Sequence, residues 1–104
     1  MNKDLIKLIK TKKAVVGVVG LGYVGLPLAI RFIEKDFNVI GFDNDKAKIA
    51  NLIKGKSYIS HIQSNSISKI LNNGFDPTFD FEQISKVNII IICVPTPLGV
   101  HNEP

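Results

Sequence analysis

Cysteine is nearly missing from this chain: Cys93 stands alone in 104 residues. No internal disulfide can form, and the usage suits a reducing compartment. Long hydrophobic runs are missing too, since none approaches the ~20 apolar residues of a membrane span. Lys and Asp interrupt the first dozen residues and leave no apolar stretch before a small-residue cleavage site, so no secretory signal is expected. Together these absences predict a cytoplasmic protein. His61 and His101 have no partners at ligand spacing, so no metal site is expected. A strong charge of one sign is also lacking, because the net balance is only +4. Lys3, Lys7, Lys10, Lys12 and Lys13 crowd the start, but no aromatics interleave them and no longer basic tract follows. They read as a solvated helix face, and neither nucleic acid nor membrane is expected as a partner.

What is present is a glycine pattern in a telling place. Gly20-Leu21-Gly22-Tyr23-Val24-Gly25 follows the apolar run Ala14 to Val19 and precedes a helical pattern. In a G-x-G-x-x-G placed between strand and helix, Gly20 allows a tight turn and Gly22 lets backbone approach a pyrophosphate. Gly25 lets the helix pack close to the strand. Free N–H groups and the positive end of the helix dipole then favour an anion. A second apolar run, Asn38 to Phe42, ends at Asp43, which lies 23 residues after Gly20. An acid at an offset of roughly 20 residues can reach the ribose hydroxyls of an adenosine, and it would repel a 2′-phosphate. The expected cofactor is therefore NAD rather than NADP. On spacing alone Asp43 could instead belong to the turn Asp43-Asn44-Asp45 and cap the next helix, although Asp45 is better placed for that.

Taken in order, Asn2 to Lys10 suits a short helix lying on the domain, and residues 1–13 form an N-terminal extension. Ala14 to Val19 is a strand, continuously apolar as a parallel strand buried on both faces should be. Val24 to Lys35 is a helix with Pro27 in its first turn, and Asn38 to Phe42 is the second strand. Asp45 caps a helix over Lys46 to Lys54, with Gly55 as its stop. Lys56 to Gln63 is a loop, Ser64 is a candidate cap for a helix through Leu71, and Thr78 to Phe81 is a short edge strand after Pro77. Glu82 to Lys86 makes one or two helical turns. Asn88 to Val94, with four successive isoleucines, has the look of a central parallel strand. These elements predict an α/β, Rossmann-like, doubly wound parallel sheet of strand order 3-2-1-4, truncated after four strands, occupying residues 14–104. Ligands bind outside the carboxyl ends of such strands, so Gly20 to Gly25 and Pro95-Thr96-Pro97 should border one crevice. Thr96 would offer a hydroxyl there, or simply begin a rigid loop.

Gly20-Leu-Gly-Tyr-Val-Gly-Leu-Pro-Leu-Ala29, the acid at Asp43 and Cys93-Val-Pro-Thr-Pro-Leu98 together resemble the N-terminal domain of the UDP-glucose/GDP-mannose dehydrogenase family. Ser57-Tyr-Ile-Ser-His-Ile62 is most similar to the branch acting on UDP-N-acetylhexosamines, with Ser60 where that branch usually carries an acid. The resemblance implies an NAD-dependent, two-step oxidation of a sugar C6 alcohol to a carboxylate, consuming two NAD and feeding polysaccharide synthesis. It implies that the glycines, Tyr23 and Val24 lie at the pyrophosphate, Asp43 at the adenosine ribose, Lys48 near the adenosine end and Thr96 against the cofactor. Alternatively, Lys48 is a solvated lysine. The family's catalytic cysteine, lysine, asparagine and aspartate lie downstream, and Cys93 is expected to be an inert core thiol. The chain is thus expected to be a fragment that binds NAD weakly without turnover, its parent taking a UDP-sugar. The alternative is a non-catalytic scaffold or nucleotide-binding module. An exposed edge of isoleucines predicts a homo-oligomer, most simply a dimer.

Overall fold

The computed structural model describes residues 3–93. Helix α1, Lys3–Lys10, precedes β1, Val15–Val19, and α2, Gly25–Glu34. Then come β2, Asn38–Phe42, α3, Lys46–Ile53, α4, Ser64–Leu71, and β3, Phe75–Thr78. A 3-10 helix over Phe81–Lys86 leads into β4, Ile89–Ile92. All pairings are parallel and the sheet order is β3-β2-β1-β4. This is the expected α/β, Rossmann-like topology.

Burial follows from where the crossovers lie. β1 and β2 are flanked by strands; α2, α3 and α4 cover one face of the pair, and on the other Val87 stands against Gly17 and the Phe42 ring centre lies 5.6 Å from that of Phe81. Val16, Val18, Val39 and Phe42 have no exposed surface, and Leu26, Ile49, Leu52 and Ile67 join the three valines in one core from the helices. α1 lies on the domain: Leu8 and Ile9 pack against this core, and the Leu8 carbonyl accepts the Lys13 and Ala14 N–H groups.

Two expectations need correction. The third strand is Phe75–Thr78, not Thr78–Phe81, and it contains Pro77. Gly74 and Thr78 give their carbonyls to β2, so by the two-residue alternation Pro77 turns its missing N–H away from the ladder. Ser64 does not cap α4; Gln63 holds that position without a side-chain bond, and the Ser64 hydroxyl accepts the Ser57 N–H instead. Among the described residues β4 stands at the edge, where the order 3-2-1-4 puts it, despite its continuously apolar sequence. It pairs only with β1, and Ile90 and Ile92 stay 49% and 67% exposed.

Register lines up the carboxyl ends. Val19 pairs with Phe42 and with Ile92, and Phe42 pairs with Thr78, so all four strands finish on one line. Gly20, Asp43 and Cys93 follow directly at that edge.

Candidate functional site

The three glycines occupy three different environments. Gly20 has φ +97°, which side-chain-bearing residues rarely adopt, and its N–H donates to the Phe42 carbonyl at 2.7 Å. A Cβ on Gly25 would stand 1.6 Å from the Gly20 carbonyl oxygen, so α2 can pack this close only through glycine. A Cβ on Gly22 would meet nothing within 4 Å. The turn is thus closed on its inner side and open above Gly22, where a ligand would enter.

Helix α2 starts without help from a side chain. Its N-cap is Val24, which offers no acceptor. Among the described residues no acceptor meets the N–H groups of Gly22, Tyr23 or Val24. Tyr23 and Val24 are exposed, at 74% and 68%. Uncommitted donors at the positive end of a helix form a ready anion site. By contrast, Asp45 caps α3 by accepting from the Ala47 and Lys48 N–H groups at 3.0 and 3.2 Å.

Asp43 is buried at the end of β2, and its carboxylate is not idle. One oxygen accepts the Leu21 N–H and the other the Asp45 N–H, both at 2.9 Å. The expectation that Asp45 caps α3 is met, but Asp43 is not left free by it. Each oxygen retains a second lone pair, so hydrogen bonds from ribose hydroxyls remain possible. Lys48 is half-buried, with Nζ 5.7 Å from the centre of the Tyr58 ring. Tyr23 stacks loosely on His61, with ring centroids 6.4 Å apart. Thr96 lies outside the described residues. Cys93 is half-buried beside the core and donates its N–H to the Val19 carbonyl, so β4 is tied to β1 at the edge of the site.

Gly22, Tyr23, Lys48, Tyr58 and Ile59 line a cavity of about 260 Å³. A larger one, about 460 Å³, lies between the ends of α2 and α4 against Ile33, Glu34, Asp36, Lys69 and Asn73. The smaller cavity is the better candidate for a phosphate. It adjoins the positive end of α2, whereas the larger adjoins the negative end and two carboxylates.

Two participants escape a motif reading. Leu21, an unspecified position in the glycine pattern, is fully buried and anchors the turn in the core. Tyr58, from the loop before α4, donates its hydroxyl to the Leu21 carbonyl. Burial pushes the Tyr58 phenol up, with the Asp43 and Asp45 carboxylates adding to the shift, so it stays protonated as a donor. The stretch Ser57 to Ile62 drew notice only through its resemblance, and a contact 37 residues distant leaves no local signal.

Residues 14–104 match the family model described as "UDP-glucose/GDP-mannose dehydrogenase family, NAD binding domain". The chain is 39% identical over 89 residues to UDP-N-acetyl-D-glucosamine 6-dehydrogenase of Pseudomonas aeruginosa, covering 86% of this chain and 20% of that one. It is 40% identical over 89 residues to Protein CapL of Staphylococcus aureus, with the same coverage. Among solved structures, UDP-D-ManNAc dehydrogenase from Pyrococcus horikoshii superposes with a TM-score of 0.74 at 33% identity, over 82% of this chain and 21% of that one. The chain therefore spans about a fifth of the length of the relatives it matches.

Proposed function

The chain belongs to the UDP-glucose/GDP-mannose dehydrogenase family, as its NAD binding domain, and from that premise we propose that it holds the ADP-ribosyl half of NAD on the glycine turn. The observation that carries this is the open face of Gly22 beside uncommitted N–H groups and the buried Asp43. In this reading Gly22, Tyr23 and Val24 offer backbone donors to the pyrophosphate, while Gly20 and Gly25 allow the turn that presents them. Asp43 accepts from the adenosine ribose and disfavours a 2′-phosphate. Lys48 flanks the adenosine end, and Thr96 meets the cofactor from beyond β4.

Bound NAD would supply hydride acceptance, and this chain's residues hold its far end in place. The wider reading is a nucleotide-sugar dehydrogenase that oxidises the C6 alcohol of a UDP-sugar to a carboxylate with two NAD. A UDP-N-acetylhexosamine is the favoured substrate, supported by the substrate names of the relatives from P. aeruginosa and P. horikoshii. Such a product would serve polysaccharide synthesis in the cytoplasm. Residues 14–104 form the nucleotide-binding unit, which alone binds without turnover, because no residue in it is assigned to hold or deprotonate the sugar alcohol. The exposed Ile90 and Ile92 on β4 support pairing between copies through that edge; a monodisperse monomer in light scattering would sink the pairing.

Calorimetric titration with NAD, NADP and ADP-ribose tests the cofactor reading. NAD and ADP-ribose should bind alike and NADP worse. Asp43→Ala should weaken NAD by about 1–3 kcal/mol, the scale of hydrogen bonds to a charged acceptor. No binding to a folded chain would defeat it.

A further inference from the structure

Leu21 is held at three points. Its side chain is fully buried, its N–H is accepted by Asp43 at 2.9 Å, and its carbonyl accepts the Tyr58 hydroxyl. A peptide plane is rigid and, when trans, points its C=O and N–H in opposite directions. Fixing the Leu21 carbonyl therefore fixes the direction of the Gly22 N–H in the same plane. The preceding plane is fixed as well, because its N–H meets Asp43 and its Gly20 carbonyl lies against Gly25.

We propose that Tyr58 is a positioning residue for the pyrophosphate site, setting the direction of the Gly22 N–H by gripping the other end of its peptide plane. Tyr58 also forms one wall of the cavity of about 260 Å³, and Lys48 stands over its ring. The loop before α4 thus reports to the nucleotide site across 37 residues of sequence. Without the hydroxyl the plane can rotate, and a donor that must be re-aimed on binding costs affinity that a preorganised one does not. This inference rests on the NAD reading for its ligand but not for its geometry.

The test is Tyr58→Phe, which keeps the ring and removes the grip, beside Ile67→Val, a trim of the buried core in α4, outside the cavity, that leaves the hydroxyl in place. Backbone amide order parameters are measured first, without ligand: Tyr58→Phe should lower them at Gly22 and Tyr23, and Ile67→Val should not. Titrations with adenosine, ADP and ADP-ribose follow. Tyr58→Phe should weaken ADP and ADP-ribose by about three- to tenfold, the worth of one hydrogen bond, and leave adenosine unchanged. Unchanged order parameters, or equal weakening of all three ligands in both variants, would overturn the proposal. If the wild-type chain binds no ADP-ribose the functional reading falls, and the order parameters alone decide whether Tyr58 sets the plane.

Discussion

Two helices begin at the same edge of the sheet, and they treat their first N–H groups in opposite ways. α3 satisfies its own: Asp45 accepts from Ala47 and Lys48, and the start of the helix is finished without any partner. α2 has Val24 at the corresponding position and no side-chain acceptor. A capping residue is worth about 1 kcal/mol, and α2 does without one. The uncapped start lies above the tight glycine turn and the capped one does not, and on the function proposed above the difference separates a helix end that stabilises the fold from one that receives an anion.

Substitutions can break that contrast, and the largest effect is expected at Gly25. Gly25→Ala places a Cβ 1.6 Å from the Gly20 carbonyl oxygen, so α2 must move. A loss of about 3 kcal/mol, the upper end of the overpacking range, should appear as a fall in denaturation midpoint, with nucleotide binding lost. Gly22→Ala sharpens the contrast. Nothing lies within 4 Å of the new methyl, so thermal stability should change by less than about 1 kcal/mol. Its methyl would nevertheless occupy the approach of the pyrophosphate, and ADP-ribose affinity should fall by about tenfold or more.

Asp45→Ala should do the reverse. It removes the α3 cap and costs about 1 kcal/mol in chemical denaturation, with ADP-ribose affinity unchanged within error. The smallest effect concerns pH. Burial and the nearby carboxylates raise the Tyr58 pKa in the folded chain, so the folded state holds this proton more tightly than the unfolded one. Its contribution is fully present below the unfolded value near 10 and is lost as pH rises through the folded value. Stability of the wild type should therefore decline above about pH 10, and Tyr58→Phe should flatten that decline.

Most of this architecture was legible in the chain because its signals are local. Asn38–Phe42 has the predicted bounds, Asp45 caps the predicted helix, and the strand order follows from short crossovers. Where reading failed, the deciding contact was remote. Pro77 looks like the boundary of a strand until one knows that its side of the strand faces away from β2. Four isoleucines have the composition of a central strand, while the order 3-2-1-4 puts them at the edge of this sheet, and two of the four are exposed. Asp43 was legible as an acid at the right offset, while its grip on Leu21 was not, and Tyr58 stood out only as part of a resembling stretch, with no sign of its contact to Leu21.

The most direct test of the central claim is to map which backbone amides shift when ADP-ribose is titrated into the labelled chain. The account predicts the largest shifts at Gly22, Tyr23, Val24 and Gly25, with smaller ones at Asp43 and Lys48. Shifts centred instead on Ile33, Lys69 and Asn73, around the larger cavity at the opposite end of α2, would contradict it.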